Sequence, residues 1–366
     1  MLSGFLITGI LLDTREANNY FGGFYARRVL RIFPLYYLVL TTIIIAGRLL
    51  NSPEVTAGLP LPHDRWVYFC YLTNWIGLWK GPFGANYIGH FWSLAVEEQF
   101  YLVWPLVIWL ARPRAVPWVA GALAVLAAIT RLAWVAHSGS QVAISLATVS
   151  RLDDLSIGAF CAYLFRDPER MVRVRRWLPW VASLGLGSFV LAFSGMVFFP
   201  ERAGLLTYGS SPVVHTLDDG TELFAECGGY TLLALGFGAL VLLAAHTDAA
   251  STWMQKFLKS RLLTPIGIYS YGIYVFHVPI IGAAAIFVFP KLIRASHTYE
   301  EGFVTTLAYI VMHAAVTFVV SAISYEFFEK RILRFKRYFE PEYAPAADDA
   351  IVDDHAVAQE TVGSYE

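Results

Sequence analysis

Long apolar stretches recur along most of the chain, and short polar segments separate them. A helix needs about twenty apolar residues to cross the hydrocarbon core of a bilayer. Eight stretches come close to or exceed that length, at residues 29–47, 91–110, 115–136, 144–165, 177–198, 228–246, 262–289 and 303–328. Residues 1–12 form a further, shorter stretch. The pattern predicts an all-α fold, a polytopic transmembrane helical bundle with about nine spans.

The composition agrees with a protein embedded in a lipid bilayer. Hydrophobic residues make up 57% of the chain and charged residues only 15%. A soluble domain of this size would need more polar surface to cover its core. The arginines stand beside apolar stretches rather than in a basic domain, so no nucleic-acid partner is predicted. Cys70, Cys161 and Cys227 are too scattered for a disulfide framework, and no metal site is predicted.

The segment WVYFCYLTNWIGLW at 66–79 is too short for a full span and rich in aromatic side chains, which suits a re-entrant or interfacial segment. If it does not cross, the positive-inside rule places the loop 199–227, whose only basic residue is Arg202, outside the cell. If it does cross, the basic residues at 166–176 would be external. The charge pattern therefore favours the first topology. The basic clusters that it assigns to the cytoplasm are Arg27–Arg31, Arg112–Arg114, Arg166–Arg176, Lys256–Arg261 and Lys330–Arg337.

The chain divides into a transmembrane domain over residues 1–338 and a tail over residues 339–366. The tail has no lysine or arginine, many acidic residues and little apolar content. Such a composition predicts a disordered acidic tail, which the topology places in the cytoplasm.

The most informative polar positions lie in GHFWSLAVEEQFYLVWPL at 89–106. At about 100° per residue, Ser93, Glu97 and Tyr101 lie on the same helix face as His90. A carboxylate inside a membrane helix costs roughly 2.5–3.5 kcal/mol, so Glu97 should face a polar cavity or a polar partner. Two interpretations stay open: these residues line a reaction cavity, or they hold helices together near the membrane entrance.

A second polar stripe lies in GIYSYGIYVFHVPI at 267–280, where Ser270, Tyr274 and His277 share one helix face. A lone histidine in an apolar span is more often a packing residue than a catalyst. Two polar stripes in one bundle favour a shared polar site over simple packing, because each stripe needs polar partners inside the hydrocarbon.

Charged pairs occur at two further places. In RRVLRIFPLYYL, Arg28 and Arg31 begin a span at its cytoplasmic end. They are either topology anchors or a clamp for phosphate, whose oxygens suit paired guanidinium groups. In SRLDDLSIGAF, Arg151, Asp153 and Asp154 lie near the outer end of a span, and an ion pair that closes the bundle is predicted there.

Taken together and in this order, six segments of the chain resemble the acyltransferase 3 family of integral-membrane O-acyltransferases. They are LSGFLITGILL, FYARRVLRIFPLYYL, HFWSLAVEEQFYLVWP, RLDDLSIGAF, GIYSYGIYVFHVP and SYEFFEKRI. The resemblance implies ten core helices in the inner membrane of a bacterium. It also implies acetyl-CoA or a related acyl-CoA as the donor substrate, no permanently bound cofactor, and a carbohydrate acceptor that is lipid-linked or exported.

The resemblance assigns roles to the candidate residues. His90, Ser93, Glu97 and His277 would form the catalytic cavity, while Arg27, Arg28 and Arg31 would bind the phosphates of coenzyme A. Two alternatives stay open, namely a transporter or flippase of a lipid-linked sugar and a non-catalytic remnant of the family. A transporter would be expected to show paired broken helices in two related halves, which the sequence does not display.

The family pattern also predicts a helix before residue 1, carrying a basic residue and, ten residues beyond it, a histidine that the resemblance implies to be the main base or acyl carrier. Residues 1–12 reach only about 18 Å as a helix, against a hydrocarbon core of about 30 Å. We therefore expect the reading frame to continue upstream for roughly 40 to 60 codons, the length of one helix and its flanks.

Overall fold

The structure is a computed structural model that describes residues 1–50, 55–56, 58–80, 87–137, 146–198, 228–246, 252–284 and 303–343. Every regular element in these ranges is helical, which confirms the all-α prediction. The predicted external loop 199–227 and the part of the tail beyond Tyr343 lie outside the described residues.

The part of the chain that the structure describes contains nine longer helices, and each overlaps one of the predicted apolar stretches. In chain order they are α1 (Leu2–Asp13), α2 (Tyr20–Leu50), α5 (Phe91–Leu110), α6 (Val116–Ala136), α7 (Leu152–Phe165), α9 (Leu178–Phe198), α10 (Tyr230–Ala245), α12 (Leu263–Ala283) and α13 (Phe303–Ser324). The short helices between and after them are α3 (Arg65–Phe69), α4 (Thr73–Lys80), α8 (Pro168–Arg175), α11 (Thr252–Leu258) and α14 (Lys330–Leu333).

Four helical segments within the described ranges are long and apolar enough to cross a membrane. They are Tyr20–Leu50, Pro113–Trp134, Leu263–Ala283 and Leu307–Phe339. The protein is therefore a helical membrane protein, and the larger number of about nine spans stays a prediction.

The predicted short segment 66–79 is broken into two helices, α3 with 5 residues and α4 with 8 residues. At 1.5 Å per residue they are about 8 Å and 12 Å long, so neither can cross a bilayer. Tyr71 lies between them in a left-handed backbone conformation with φ of 53°. Such a conformation is unfavourable for a bulky residue and cannot continue a right-handed helix.

The short segment packs against the middle of α2 rather than against its end. The Tyr36 hydroxyl donates to the Tyr68 carbonyl at 2.7 Å, and the Tyr37 hydroxyl donates to the Phe69 carbonyl at 2.8 Å. Tyr36 is fully buried and also packs against Phe91 at the start of α5, with ring centroids 4.6 Å apart.

A closed ring of three polar side chains joins α4 to the bundle. Gln99 donates to Asn74 at 2.9 Å, Asn74 donates to Thr148 at 2.9 Å, and Thr148 donates to Gln99 at 2.5 Å. Asn74 is fully buried. Each of these side chains forms a hydrogen bond to another member of the ring, so polar groups lie in the interior without being left unpaired.

Helix α1 lies unusually close to α7 because glycines stand at their crossing. A Cβ atom on Gly4 would overlap the backbone of Leu155, and one on Gly158 would overlap the backbone of α1 at Met1 and Phe5. Small residues allow helix backbones in membranes to approach in this way. The approach fixes the position of Ser3, which faces the interior of the bundle.

A buried ion pair connects α6, α7 and α10. Arg131 donates to Asp153 at 2.7 Å, and the Thr231 hydroxyl donates to the same carboxylate at 2.5 Å. The predicted ion pair at this end therefore exists, but Asp153 is paired with Arg131 rather than with Arg151. Arg151 instead lies 3.7 Å from Asp154.

After α13 the helix widens into a π-helix at Tyr325–Glu329, continues through α14 and ends as a 3₁₀-helix at Arg334–Phe339. The following residues are held on the start of α2. Asn19 donates to the Glu340 carbonyl at 2.7 Å, and the Asn18 amide donates to the Glu342 carbonyl at 2.7 Å. The segment 339–343, which was predicted to begin the disordered tail, therefore docks on the helical domain.

Candidate active site

Two histidines meet where α5 and α12 face each other. His90 immediately precedes α5, and its ring centroid lies 4.7 Å from that of His277 and 5.2 Å from that of Tyr274. Both ring nitrogens of His90 are buried without a hydrogen-bond partner among the described residues, although the backbone of Tyr274 and Val275 lies beside the ring. An imidazole buried beside a second imidazole can exchange a proton or a hydrogen bond with a bound substrate.

Tyr274 connects the two predicted stripes. Its hydroxyl donates to the His90 carbonyl at 2.6 Å, so the Ser93 hydroxyl, 2.9 Å away, can donate to the Tyr274 oxygen. The Nδ1 atom of His277 lies 2.6 Å from the Tyr274 carbonyl. Since a carbonyl only accepts, Nδ1 carries the proton, and a neutral His277 has its lone pair on Nε2.

Glu97 lies two turns further along α5 than His90. Its two carboxylate oxygens accept from the Ser3 hydroxyl at 2.8 Å and from the Tyr101 hydroxyl at 2.9 Å. The prediction that Glu97 needs polar partners in the interior is therefore confirmed. Ser3 comes from α1, and no spacing in the sequence indicated that it would be the partner.

Glu98 carries a second, half-buried carboxylate beside the predicted face. Its Oε1 atom is buried without a hydrogen-bond partner among the described residues. Glu98 interacts electrostatically with Glu97 and with Arg28. At about 100° per residue Glu98 lies off the helix face that His90 and Glu97 share, and its neighbours Tyr36, Tyr71 and Arg28 come from other segments, so the sequence did not single it out.

The three predicted phosphate-binding arginines lie in the first half of α2 and diverge from one another. Arg28 lies over the Tyr101 ring at 5.0 Å, next to the carboxylates of α5. Arg27 donates to the Phe339 carbonyl, and Arg31 interacts electrostatically with Glu329 of the π-helix. They do not form one compact clamp; Arg28 alone extends the row of site residues on α5.

These contacts form one row of polar groups through the bundle. The row starts at His90 and His277, passes Ser93 and Glu97, and ends where Tyr101 meets Arg28. His90 and Tyr101 are separated by about 16 Å along α5 at 1.5 Å per residue. One end of the row thus presents imidazole and hydroxyl groups, and the other end presents the Arg28 guanidinium.

Other predicted polar residues lie outside this row. Ser270 is exposed, and its hydroxyl donates to the Gly267 carbonyl of its own helix at 2.9 Å, so it does not share the site with His277. The described residues include no group of three or more histidine, cysteine, aspartate or glutamate side chains placed to hold a metal ion.

A helical membrane protein whose interior row joins paired imidazoles to an arginine has the groups that a membrane-embedded group-transfer enzyme needs. The chain belongs to the acyltransferase 3 family, because that family's model, described as an acyltransferase domain, matches residues 1–326.

Two curated bacterial relatives have similar sequences. The O-acetyltransferase OatA of Staphylococcus aureus (strain NCTC 8325) is 25% identical over 343 residues, which cover 91% of this chain and 51% of the relative. The peptidoglycan O-acetyltransferase OatA of Listeria monocytogenes is 26% identical over 358 residues, covering 93% and 51%. The chain thus spans about half the length of these relatives. No solved structure was found to match it.

Proposed function

We propose that this chain is a membrane O-acyltransferase that moves an acyl group, mainly acetyl, from acyl-CoA to a hydroxyl of a cell-surface or exported carbohydrate. The observation that carries the proposal is the interior row from the His90–His277 pair to Arg28, found in a member of an acyltransferase family. The peptidoglycan activity named for one relative makes a peptidoglycan glycan the first acceptor to test.

The two imidazoles serve the acceptor. The Nε2 lone pair of His277, or a free nitrogen of His90, takes the proton of the acceptor hydroxyl as its oxygen attacks the thioester carbonyl. The new C–O bond forms and the C–S bond breaks, and the proton passes to the leaving thiolate of coenzyme A. The Ser93 hydroxyl lies beside the imidazoles and, by turning from the Tyr274 oxygen, supplies a hydrogen-bond donor for the oxyanion that develops, while Tyr274 holds the backbone of His90.

The other half of the row serves the donor. Arg28 and Arg31 bind coenzyme A phosphates at the cytoplasmic end, and Arg27, which faces the C-terminal segment, supports them. Glu97 keeps Tyr101 in position beneath the Arg28 guanidinium. The thioester end of the donor then extends along α5 toward the histidines, so donor and acceptor enter from opposite sides of the membrane.

The proposed topology is a multi-pass protein of the bacterial inner membrane with about nine spans. Helices α3 and α4 form a re-entrant segment, since Tyr68 and Phe69 contact the middle of α2 while neither short helix can cross. The loop 199–227 is then external and offers surface for the acceptor, while the bilayer and the acceptor glycan are the partners.

Purified protein in lipid nanodiscs, supplied with acetyl-CoA labelled in the acetyl group, tests the function. Label should move to a peptidoglycan glycan, and the double variant R28A/R31A should raise the KM for acetyl-CoA about tenfold or more, as expected when contacts to charged groups are lost. The matched control is R112A/R114A, a pair of exposed arginines. Glycan movement across vesicles without any acyl donor, together with no label transfer, would identify a transporter instead.

A further inference from the structure

Two buried polar atoms beside the row of site residues have no hydrogen-bond partner among the described residues. They are the hydroxyl oxygen of Tyr71 and the Oε1 atom of Glu98. Tyr71 as a whole is only 6% exposed. Buried polar groups are nearly always hydrogen-bonded, because an unpaired group loses its hydration without compensation. Each of the two atoms therefore needs a partner that the described part of the chain does not supply.

The crossing of α2 and α5 determines where the Glu98 side chain lies. The guanidinium of Arg28 is 5.0 Å from the centre of the Tyr101 ring, and the ring of Tyr36 lies 4.6 Å from that of Phe91. Glu98 follows Phe91 by nearly two helical turns, so the two side chains share one face of α5. Glu98 therefore faces the stretch of α2 between Arg28 and Tyr36.

Tyr71 lies against the same stretch of α2. Its ring stacks on the rings of Phe33 and Tyr36, with centroids 5.2 Å and 4.4 Å away. Its carbonyl accepts from Gln99, the neighbour of Glu98, at 2.8 Å. The left-handed residue Tyr71 is thus fixed on α2 and on α5, and its electrostatic interaction with Glu98 agrees with this placement. The unpartnered hydroxyl and the unpartnered carboxylate oxygen belong to one place in the bundle.

The chemistry of the two atoms defines the group that they can bind. The Tyr71 hydroxyl can donate a hydrogen bond, whereas an ionised Glu98 only accepts. The two atoms do not bond to each other, so a bound group can lie between them. A secondary amide has both of the matching functions, because its carbonyl accepts from Tyr71 and its N–H donates to Glu98.

We infer that Tyr71 and Glu98 bind a secondary amide of the acyl donor, in the pantetheine arm that connects the phosphates of coenzyme A to the thioester. Glu98 lies between the two ends of the row on α5, at Arg28 and at His90, where this arm has to pass. The assignment to the donor rests on the proposed acyl transfer. An N-acetylated glycan carries the same chemistry in its acetamido groups, so the experiment includes one.

The variant Y71F, which removes only the hydroxyl, tests the site on the full chain in nanodiscs. Binding of coenzyme A is compared with binding of its nucleotide half, which has the phosphates but no amide. Y71F should bind coenzyme A about threefold to tenfold more weakly, the loss expected for one hydrogen bond, and the nucleotide half with unchanged affinity. An unchanged affinity for coenzyme A, or equal weakening of both ligands, would overturn the inference.

The contact of Glu98 is tested with a coenzyme A analogue in which esters replace the amides. The analogue keeps the carbonyl groups but has no N–H to donate. Wild-type protein should prefer the amide, and E98Q should lose most of this preference, because a neutral acceptor holds an N–H less strongly than a carboxylate does. Y71F should keep the preference. An equal preference in wild-type protein and E98Q would exclude Glu98 from the site.

Thermal unfolding without ligand separates binding from a structural role. Y71F removes a hydroxyl that has no partner among the described residues, so its melting temperature should stay unchanged or rise. The matched control is Y37F, which removes a hydroxyl that donates to the Phe69 carbonyl in the same short segment and should lower the melting temperature. A fall for Y71F as large as that for Y37F would assign its hydroxyl a structural partner and overturn the inference.

The source of the amide is resolved by binding of an oligosaccharide of N-acetylglucosamine to the same proteins. If Y71F weakens binding of this glycan and not of coenzyme A, the amide site stands and its assignment to the donor is overturned. If Y71F changes neither affinity, the site itself is overturned. The proposed acyl transfer fails separately, when wild-type protein binds coenzyme A in a Tyr71-dependent way but transfers no acetyl group.

Discussion

Arg131 and Asp153 form an ion pair at 2.7 Å in which the exposed fractions of the side chains are 1% and 0%. The pair lies between α6 and α7, and Thr231 of α10 donates to the same carboxylate. Water cannot solvate either charge there, so each depends on the other.

The first prediction is that Asp153→Ala destabilises the protein by about 3–5 kcal/mol, because it leaves the Arg131 charge buried without a partner. Thermal unfolding in detergent measures the effect. The control is Asp154→Ala, since Asp154 faces Arg151 at 3.7 Å with about a third of its side chain exposed, and such pairs contribute roughly 0–1 kcal/mol. Equal shifts for the two variants would show that burial of the pair is unimportant.

Glu97→Gln should lower acetyl transfer about 10²-fold while changing stability by less than about 1 kcal/mol. The amide keeps the shape of the side chain and one oxygen acceptor for Ser3 or Tyr101, but it removes the charge from the row. The turnover number and the melting temperature are measured on the same preparation. If the turnover number and the melting temperature both fall, Glu97 holds helices together near the membrane entrance instead of lining a reaction cavity.

His90→Phe should abolish transfer and leave coenzyme A binding intact, because phenylalanine preserves the ring packing against His277 and Tyr274 but has no nitrogen. His277→Phe should have a similar effect on turnover. The matched variant is His137→Phe, since His137 is exposed at the end of α6. Wild-type turnover in His90→Phe would remove this residue from the proposed chemistry.

The helix crossing at Gly158 offers a test of how the site is assembled. Gly158→Ala should separate α1 from α7, displace Ser3 from Glu97, and lower both stability and transfer. Gly121→Ala should be neutral or stabilising by about 0.5–1 kcal/mol, because a Cβ there meets no atom within 4 Å and alanine favours a helix. Unfolding and activity of the two alanine variants, compared directly, decide whether the close approach matters.

The topology is tested with single cysteines at positions 210 and 350 in a background that lacks Cys70, Cys161 and Cys227. An impermeant thiol reagent added to intact cells should label position 210 and not position 350. Lysed cells, in which both positions are accessible, serve as the control for reagent access. Equal labelling of the two positions in intact cells would contradict the proposed arrangement.

The hydrophobic pattern was sufficient to predict the helices, because each apolar stretch must satisfy its own backbone groups inside the bilayer. It also predicted that the stripes of α5 and α12 need each other, and His90, Ser93, Tyr274 and His277 do meet. Periodicity describes one helix at a time, so it could not indicate partners contributed by another segment. The contacts of Ser3 with Glu97 and of Arg27 with the Phe339 carbonyl are of this kind.

Arg131 shows a different limit of sequence reasoning. An arginine within the apolar stretch 115–136 was a visible signal, because a buried charge demands a partner. The nearest acidic residues in the sequence are Asp153 and Asp154, for which Arg151 is the obvious local partner. The sequence pattern therefore did not indicate that Asp153 pairs with Arg131. The tail boundary was misplaced for a related reason, since the hydrogen bonds that hold 340–343 come from Asn18 and Asn19 at the opposite end of the chain.

The ring of Asn74, Gln99 and Thr148 also sets an order of events during biosynthesis. Asn74 precedes Thr148 by 74 positions, and at about 5–20 residues per second a ribosome needs roughly 4–15 s to make the intervening chain. Until then the amide of Asn74 has only part of its final set of partners. Helix α4 therefore stays at the membrane surface or in the insertion machinery until α5 and α6 have been synthesised. Only then can the hydrogen bonds of the ring fix its position.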